Sequence, residues 1–267
     1  MYENFFGLDE LKLNDEEKYG LSWANLGYWH GNHSYSKAGR NLAIELGKSL
    51  ELSKKDRLLD VGFGLGEQLL LWHSYFDIDS IVGLNPSEIQ NEYAKSRISK
   101  EGLVEKISLF TGTSGDISRF NSKKFDKIIA LDCAYHFETR IKFIRDSIDL
   151  LGDGGALGMI DLFPTEKMLK WPQKIMNSLI TKFFHIDKKN LMTIRDFELE
   201  INEMDVFEAE IIDISNYIFP GFCNYINKEG VKNQSGLKKM KITAKLLSFF
   251  HRKDYVRAFK IILKKNI

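Results

Sequence analysis

The sequence predicts an α/β protein with a doubly wound, Rossmann-like, seven-stranded and mostly parallel sheet, carrying a helical N-terminal segment and a lid insertion. Three observations lead there. Between residues 56 and 163, short runs rich in Ile, Leu and Val alternate with helical patterns. The runs are apolar throughout rather than at every second residue, as in strands covered by helices on both faces. The first run, "LLDVGFGLG" at 58–66, ends in three glycines spaced two apart and leads straight into a helical stretch, the entry to a βα turn that approaches a ligand closely.

Each element has its own signal. "RLLDV", "SIVGLN", "ISLFTG", "DKIIALD" and "ALGMIDLF" read as buried strands. "GEQLLLWHSYF", "PSEIQNEYAKSRISKEG" and "TRIKFIRDSIDLLGDGG" read as the helices between them. Pro86 stands near the start of the second helix, where a missing N–H costs little, and Gly154 and Gly155 are expected to break the third at its C-terminal end. Beyond 194, "IRDFELEINEMDVFEAEIIDIS" adds a helix and a strand, and "YVRAFKIIL" a last strand. Residues 1–55 form an expected N-terminal helical cap with a loop, "NLGYWHGNHSYS", inside it. The core is expected over 56–267, with a lid insertion at about 164–195, since an insertion between core strands is where a cover over a ligand belongs.

Composition narrows the function classes. A hydrophobic share of 43% and a charged share of 28% are those of a globular chain. Basic and acidic residues number 38 and 37, which gives no sign of a nucleic-acid binder. Cys133 and Cys223 lack metal-ligand spacing and are expected to stay reduced in the cytoplasm. The six histidines show no spacing for a metal site either. The N-terminus lacks a secretory pattern, and no apolar run approaches the roughly 20 residues of a membrane span. The last thirty residues are basic with apolar residues interleaved. They read as a basic helix and a final edge strand, with a weak membrane-surface contact as the alternative.

The glycine turn points to a class of ligand by elimination. A dinucleotide fingerprint would continue toward a later glycine where Glu67 begins the helix, and a P-loop would need Gly-Lys-Ser/Thr. The carboxylate of Asp60, just before the turn, is poorly placed to cradle a pyrophosphate and suits a positively charged ligand. On "DVGFGLG" and on "GLNPSEIQ" (83–90), with its G-L-N-x-S-x-x-Q pattern, the chain resembles the class I S-adenosylmethionine-dependent methyltransferases. The similarity runs over about residues 20–220 and is to the small-molecule members: sugar O-methyltransferases, tocopherol-type enzymes and cyclopropane fatty acid synthases.

That resemblance implies S-adenosylmethionine as cofactor and S-adenosylhomocysteine as product. It implies that Gly62, Gly64 and Gly66 form the turn against the methionine part while Asp60 orients its amino group. Asn85, at a position usually acidic in the family, and Gln90 would contact the ribose, and Thr113 and Ser114, or else Asp116, the adenine. Asp132 and Cys133 would run beside the cofactor. "DCAYH" (132–136) resembles an E-x-x-x-H segment in which the histidine is a proposed general base, placing His136 in that role with Asp161 as its polar partner or as a substrate ligand. "GYW" resembles a loop that closes over the methyl donor, so Trp29 is expected at the cofactor and Tyr28 at the substrate, with core packing as the alternative for both. In the lid, Trp171 and Phe183, with Met176, Leu179 and Phe184, suggest an apolar acceptor. The function expected is methyl transfer to O or N of a small, partly apolar molecule. The alternatives are C-methylation or cyclopropanation of a lipid, and a catalytically silent binding subunit of the same fold.

Overall fold

The computed structural model describes residues 23–31, 34–170, 181, 184–228 and 235–266. Seven strands run β1 (Arg57–Val61), β2 (Ser80–Asn85), β3 (Ile107–Thr111), β4 (Phe125–Leu131), β5 (Leu151–Pro164), β6 (Phe207–Asp213) and β7 (Val256–Lys265). Helices α1 (Tyr35–Ser49), α2 (Glu67–Phe76), α3 (Glu88–Lys100), α4 (Arg140–Leu150), α5 (Glu166–Leu169), α6 (Ile194–Met204), α7 (Ser215–Lys228) and α8 (Ser235–Arg252) fill the connections. The strand order is β3-β2-β1-β4-β5-β7-β6, with β1 to β5 parallel and β7 antiparallel to both its neighbours. The chain leaves β1 toward β2 on one side and returns to β4 on the other. The carboxyl ends of β1 and β4 are therefore the switch point at which open α/β sheets bind ligands.

Both faces of the sheet are buried, and the strands show why their sequences are continuously apolar. In β4, Ile129 packs with Leu42 and Leu46 of α1 and Trp72 of α2 on one face, while Ile128 packs with Phe143 of α4, Phe163 and Phe197 on the other. Successive side chains of a strand point to opposite faces, so only an unbroken apolar run satisfies two covered faces. Helix α1, from the expected N-terminal cap, is part of the first of these clusters. Its start is secured by Ser34, whose side chain accepts the Lys37 N–H.

Three expectations are corrected. The helix read as "TRIKFIRDSIDLLGDGG" ends at Leu150, and the following residues already belong to β5. Gly154, at φ +68°, instead serves a register shift: Leu151 lies opposite Phe125 and Ala156 opposite Lys127, so five residues of β5 span two of β4. "ISLFTG" is not buried throughout, because β3 is an edge strand with half-exposed residues. The last strand is internal rather than an edge, since β7 enters between β5 and β6 and buries Ala258, Phe259 and Ile261 to Leu263. "FPGFCNYI" lies within α7, with Pro220 inside the helix and Phe219, Phe222 and Cys223 buried. Residues 171–180, 182 and 183 of the expected lid, with Trp171, Met176, Leu179 and Phe183 among them, lie outside the described residues.

Candidate active site

A cavity of about 140 Å³ opens at the carboxyl ends of β1, β2 and β4. The turn after β1 forms its floor. Gly62 has φ +88°, and an alanine Cβ there would lie 2.6 Å from Cys133 Sγ, inside contact distance. Gly62 donates its N–H to the Leu84 carbonyl and Gly64 its own to Asn85 Oδ1, at 2.7 and 3.3 Å, so the turn is stitched to β2. Gly66 does not line the cavity. It begins α2 at φ +87°, and a Cβ would come 2.8 Å from that of Ala94, so its bareness lets α2 lie against α3.

The polar wall comes from β2 and the loop after β3. Asn85 Nδ2 donates to Gln90 Oε1 at 3.1 Å, joining two lining amides through one turn of α3. Thr113 and Ser114 line the cavity, whereas Asp116 does not. Asp116 accepts the Thr113 N–H and hydroxyl at 2.7 and 2.9 Å and holds that turn from behind as a capping box.

Two carboxylates set the electrostatics. Asp60 is fully buried and lies outside the lining. Its oxygens accept Gln68 Nε2 at 2.8 and 2.9 Å and Trp72 Nε1 at 2.6 Å. Burial pushes its pKa up to about 7 against those hydrogen bonds. Gln68 does line the cavity, so the acid before the glycine turn is relayed to the ligand space through an amide. Asp132 closes β4 with a left-handed backbone, φ +55°, rare for a residue with a side chain. Its Oδ2 accepts the Leu26 N–H at 2.7 Å, pinning residues 23–31 over the cavity. Its Oδ1 is buried without a hydrogen bond of ordinary geometry, beside the Tyr135 phenol. Burial, with Asp161 nearby, raises its pKa to about 8. Asp132 is the one acid in the described lining, which contains no Lys or Arg.

Tyr135 separates this cavity from a second one of about 50 Å³ beside the end of β5. The second chamber is walled by Leu26, Met168, Phe184, Leu247 and Phe250, among others. His136 faces the first cavity with Nδ1 3.2 Å from the His185 carbonyl. Asp161 does not reach it. Asp161 is fully buried, receives Arg140 Nε at 2.7 Å, and accepts the N–H groups of Tyr135 and Leu162 at 3.0 and 2.9 Å. Its carboxylate is consumed by a buried ion pair that fixes the 134–136 turn, which corrects its expected catalytic role. Asn190 ties the same turn down from above: its Nδ2 donates to the Tyr135 and Phe137 carbonyls, and its Oδ1 accepts the Arg140 N–H.

Tyr28 and Trp29 are also displaced from their expected places. Trp29 is buried, donates Nε1 to the Leu26 carbonyl at 2.7 Å, and packs against Gly221 of α7, where any Cβ would fall 2.1 Å from its own. Tyr28 stacks on Tyr217 with ring centroids 4.9 Å apart. Neither lines either of these two cavities. Apolar area on one side drew both rings onto α7, and Ala24 and Asn25 from the same segment face the ligand space instead. Sequence reasoning missed Gln68, Tyr135, Arg140 and Asn190. Gln68 alone carried a local signal, as a lone amide inside the apolar helix "EQLLLW".

Residues 59–159 match a family model described as a methyltransferase domain. Over 146 residues the chain is 31% identical to the erythromycin 3''-O-methyltransferase of Saccharopolyspora erythraea, covering 54% of this chain and 47% of that protein. Over 127 residues it is 32% identical to the ajmaline N-methyltransferase of Rauvolfia serpentina, covering 45% and 43%. The chain thus spans about half the length of these curated relatives. A geranyl diphosphate C-methyltransferase from Streptomyces coelicolor, solved with Mg2+, geranyl diphosphate and S-adenosylhomocysteine, shares the fold at a TM-score of 0.73 and 14% identity, covering 92% of both chains.

Proposed function

With a class I S-adenosylmethionine-dependent methyltransferase domain of the small-molecule type as the premise, we propose that this chain transfers a methyl group to an oxygen or nitrogen of a small, partly apolar molecule. The observation that carries the reading is the cavity at the β1/β4 switch point, whose described lining holds one carboxylate and no cation. A lining without Lys or Arg disfavours a pyrophosphate, and a bound ammonium or sulfonium would draw the protonated Asp132 into its charged form.

In this reading the methionine part lies on Gly62 and Gly64, with Asp60 acting through Gln68. The Asn85 and Gln90 amides hold the ribose hydroxyls, with Thr113 and Ser114 beside the adenine, and Asp132 and Cys133 run along the donor. S-adenosylmethionine supplies an electrophilic methyl group when bound. The chain's own residues hold the acceptor in line, exclude water with the 23–31 segment, and take up a proton. His136 suits the proton uptake, because it faces the cavity and imidazole is the side chain fitted to general-base work near neutral pH. The apolar chamber behind Tyr135 is the acceptor's place.

Calorimetry of the purified chain with S-adenosylhomocysteine, ATP and NAD tests the cofactor. Binding of the first alone is expected, and a preference for a pyrophosphate compound would overturn the reading. Methyl-labelled donor incubated with fractionated metabolites then assigns the acceptor. The fold shared with a C-methyltransferase supports carbon as a second acceptor. Incubation with lipid vesicles separates the two, because label entering lipid would favour carbon transfer.

A further inference from the structure

The apolar chamber contains one polar side chain whose hydrogen-bonding capacity is unspent. Thr243 of α8 lines the chamber and is 1% exposed, and its Oγ1 has no hydrogen-bond partner. A helical threonine commonly returns its hydroxyl to a carbonyl of the preceding turn, and this one does not. The other polar groups in the described lining are already engaged. Arg140 donates Nε to Asp161, Nη1 to the Asn190 carbonyl and Nη2 to the Leu162 carbonyl. The Asn190 amide is bonded at both ends, and the Tyr135 phenol sits against Asp132. A buried hydroxyl without a partner costs stability. A chain that folds with one facing an apolar cavity has left that bond for an occupant of the cavity to make.

We propose that Thr243 is a specificity-determining residue of the acceptor chamber, donating a hydrogen bond to a carbonyl or ether oxygen on an otherwise hydrocarbon acceptor. The inference rests on the reading of this chamber as the acceptor site. It narrows the acceptor class: a purely hydrocarbon group placed there would leave the hydroxyl unpaired, so an oxygenated ring or chain is selected over its carbon isostere.

The test compares two small probes, cyclopentanone and its carbon isostere methylenecyclopentane. Each is titrated by NMR into the wild-type chain and Thr243→Val, both saturated with S-adenosylhomocysteine. The valine variant is expected to bind cyclopentanone roughly fivefold to tenfold more weakly and methylenecyclopentane equally or more tightly. The ligand-free variant should melt no lower than wild type, because the lost hydroxyl had no internal partner. Equal changes for the two probes, no binding of cyclopentanone to wild type, or a lowered Tm would each overturn the assignment. S-adenosylhomocysteine affinity, measured in the same samples, separates the two claims. Normal cofactor binding with failed probe selectivity sinks the Thr243 role alone, whereas failed cofactor binding sinks the methyl-transfer reading and this inference with it.

Discussion

Replacing Asp60 with Asn asks whether the acid before the glycine turn reaches the ligand only through Gln68. The Asp60 carboxylate accepts three N–H bonds, two from Gln68 at 2.8 and 2.9 Å and one from Trp72 at 2.6 Å. An asparagine keeps one accepting oxygen and turns the other into an NH2 group that faces donors. In one orientation the new NH2 group faces Gln68 Nε2 and pushes that donor away, and in the other Trp72 Nε1 loses its acceptor, at a cost of about 1–3 kcal/mol. If Gln68 is the group so released, S-adenosylhomocysteine affinity should fall roughly fivefold to tenfold, the worth of about one hydrogen bond. Calorimetry on Asp60→Asn, Gln68→Ala and the double variant then forms a cycle. The two single losses should be similar, and the double variant no worse than Gln68→Ala. Losses that multiply would mean that Asp60 acts on the cofactor independently of Gln68. An unchanged affinity for Asp60→Asn would refute the relay altogether.

Arg140→Met should cost about 3–5 kcal/mol in urea unfolding, because it strands a fully buried Asp161 carboxylate. Asp161→Leu added to it should recover much of that loss, and no recovery would show that the pair matters through packing alone. Stability should fall as pH rises from about 4 to about 8. Asp60 and Asp132, raised from 3.8 to about 7 and about 8, keep protons in the fold that the unfolded chain has released. Asp132→Asn should flatten that slope in urea midpoints taken across the window, and an unchanged slope would place the proton uptake elsewhere. His136→Ala should lower methyl transfer by about a hundredfold or more while S-adenosylhomocysteine affinity stays within about twofold. Wild-type turnover in that variant would remove His136 from proton transfer.

The parts of the site that lie close along the chain were legible. Gly62, Gly64, Asn85, Thr113, Ser114, Asp132, Cys133 and His136 occupy strand ends or the turns just after them, Gln90 the first turn of α3, and all line the one cavity. Their grouping follows from alternation alone, because parallel strands joined by helices bring every βα loop to the same edge. Carboxylate roles were less legible. Asp60 sits near the end of β1 and Asp161 three residues before the end of β5, yet each is held outside the cavity lining by a partner from another element, Trp72 in one case and Arg140 in the other.

The amino-acid order by itself determined the parallel core, the glycine turn and the edge of the sheet at which the cavity opens. Those depend on which residues are apolar and on short-range spacing, and both are written along the chain. Tertiary structure decided which surface each apolar face would meet: Trp29 against Gly221 of α7, β7 inside the sheet rather than at its rim, and Thr243 alone with its hydroxyl in an apolar chamber. Periodicity states that a face must be covered, but the cover comes from segments as far as 192 residues away in the Trp29–Gly221 contact, chosen by shape and by which buried polar groups find partners there.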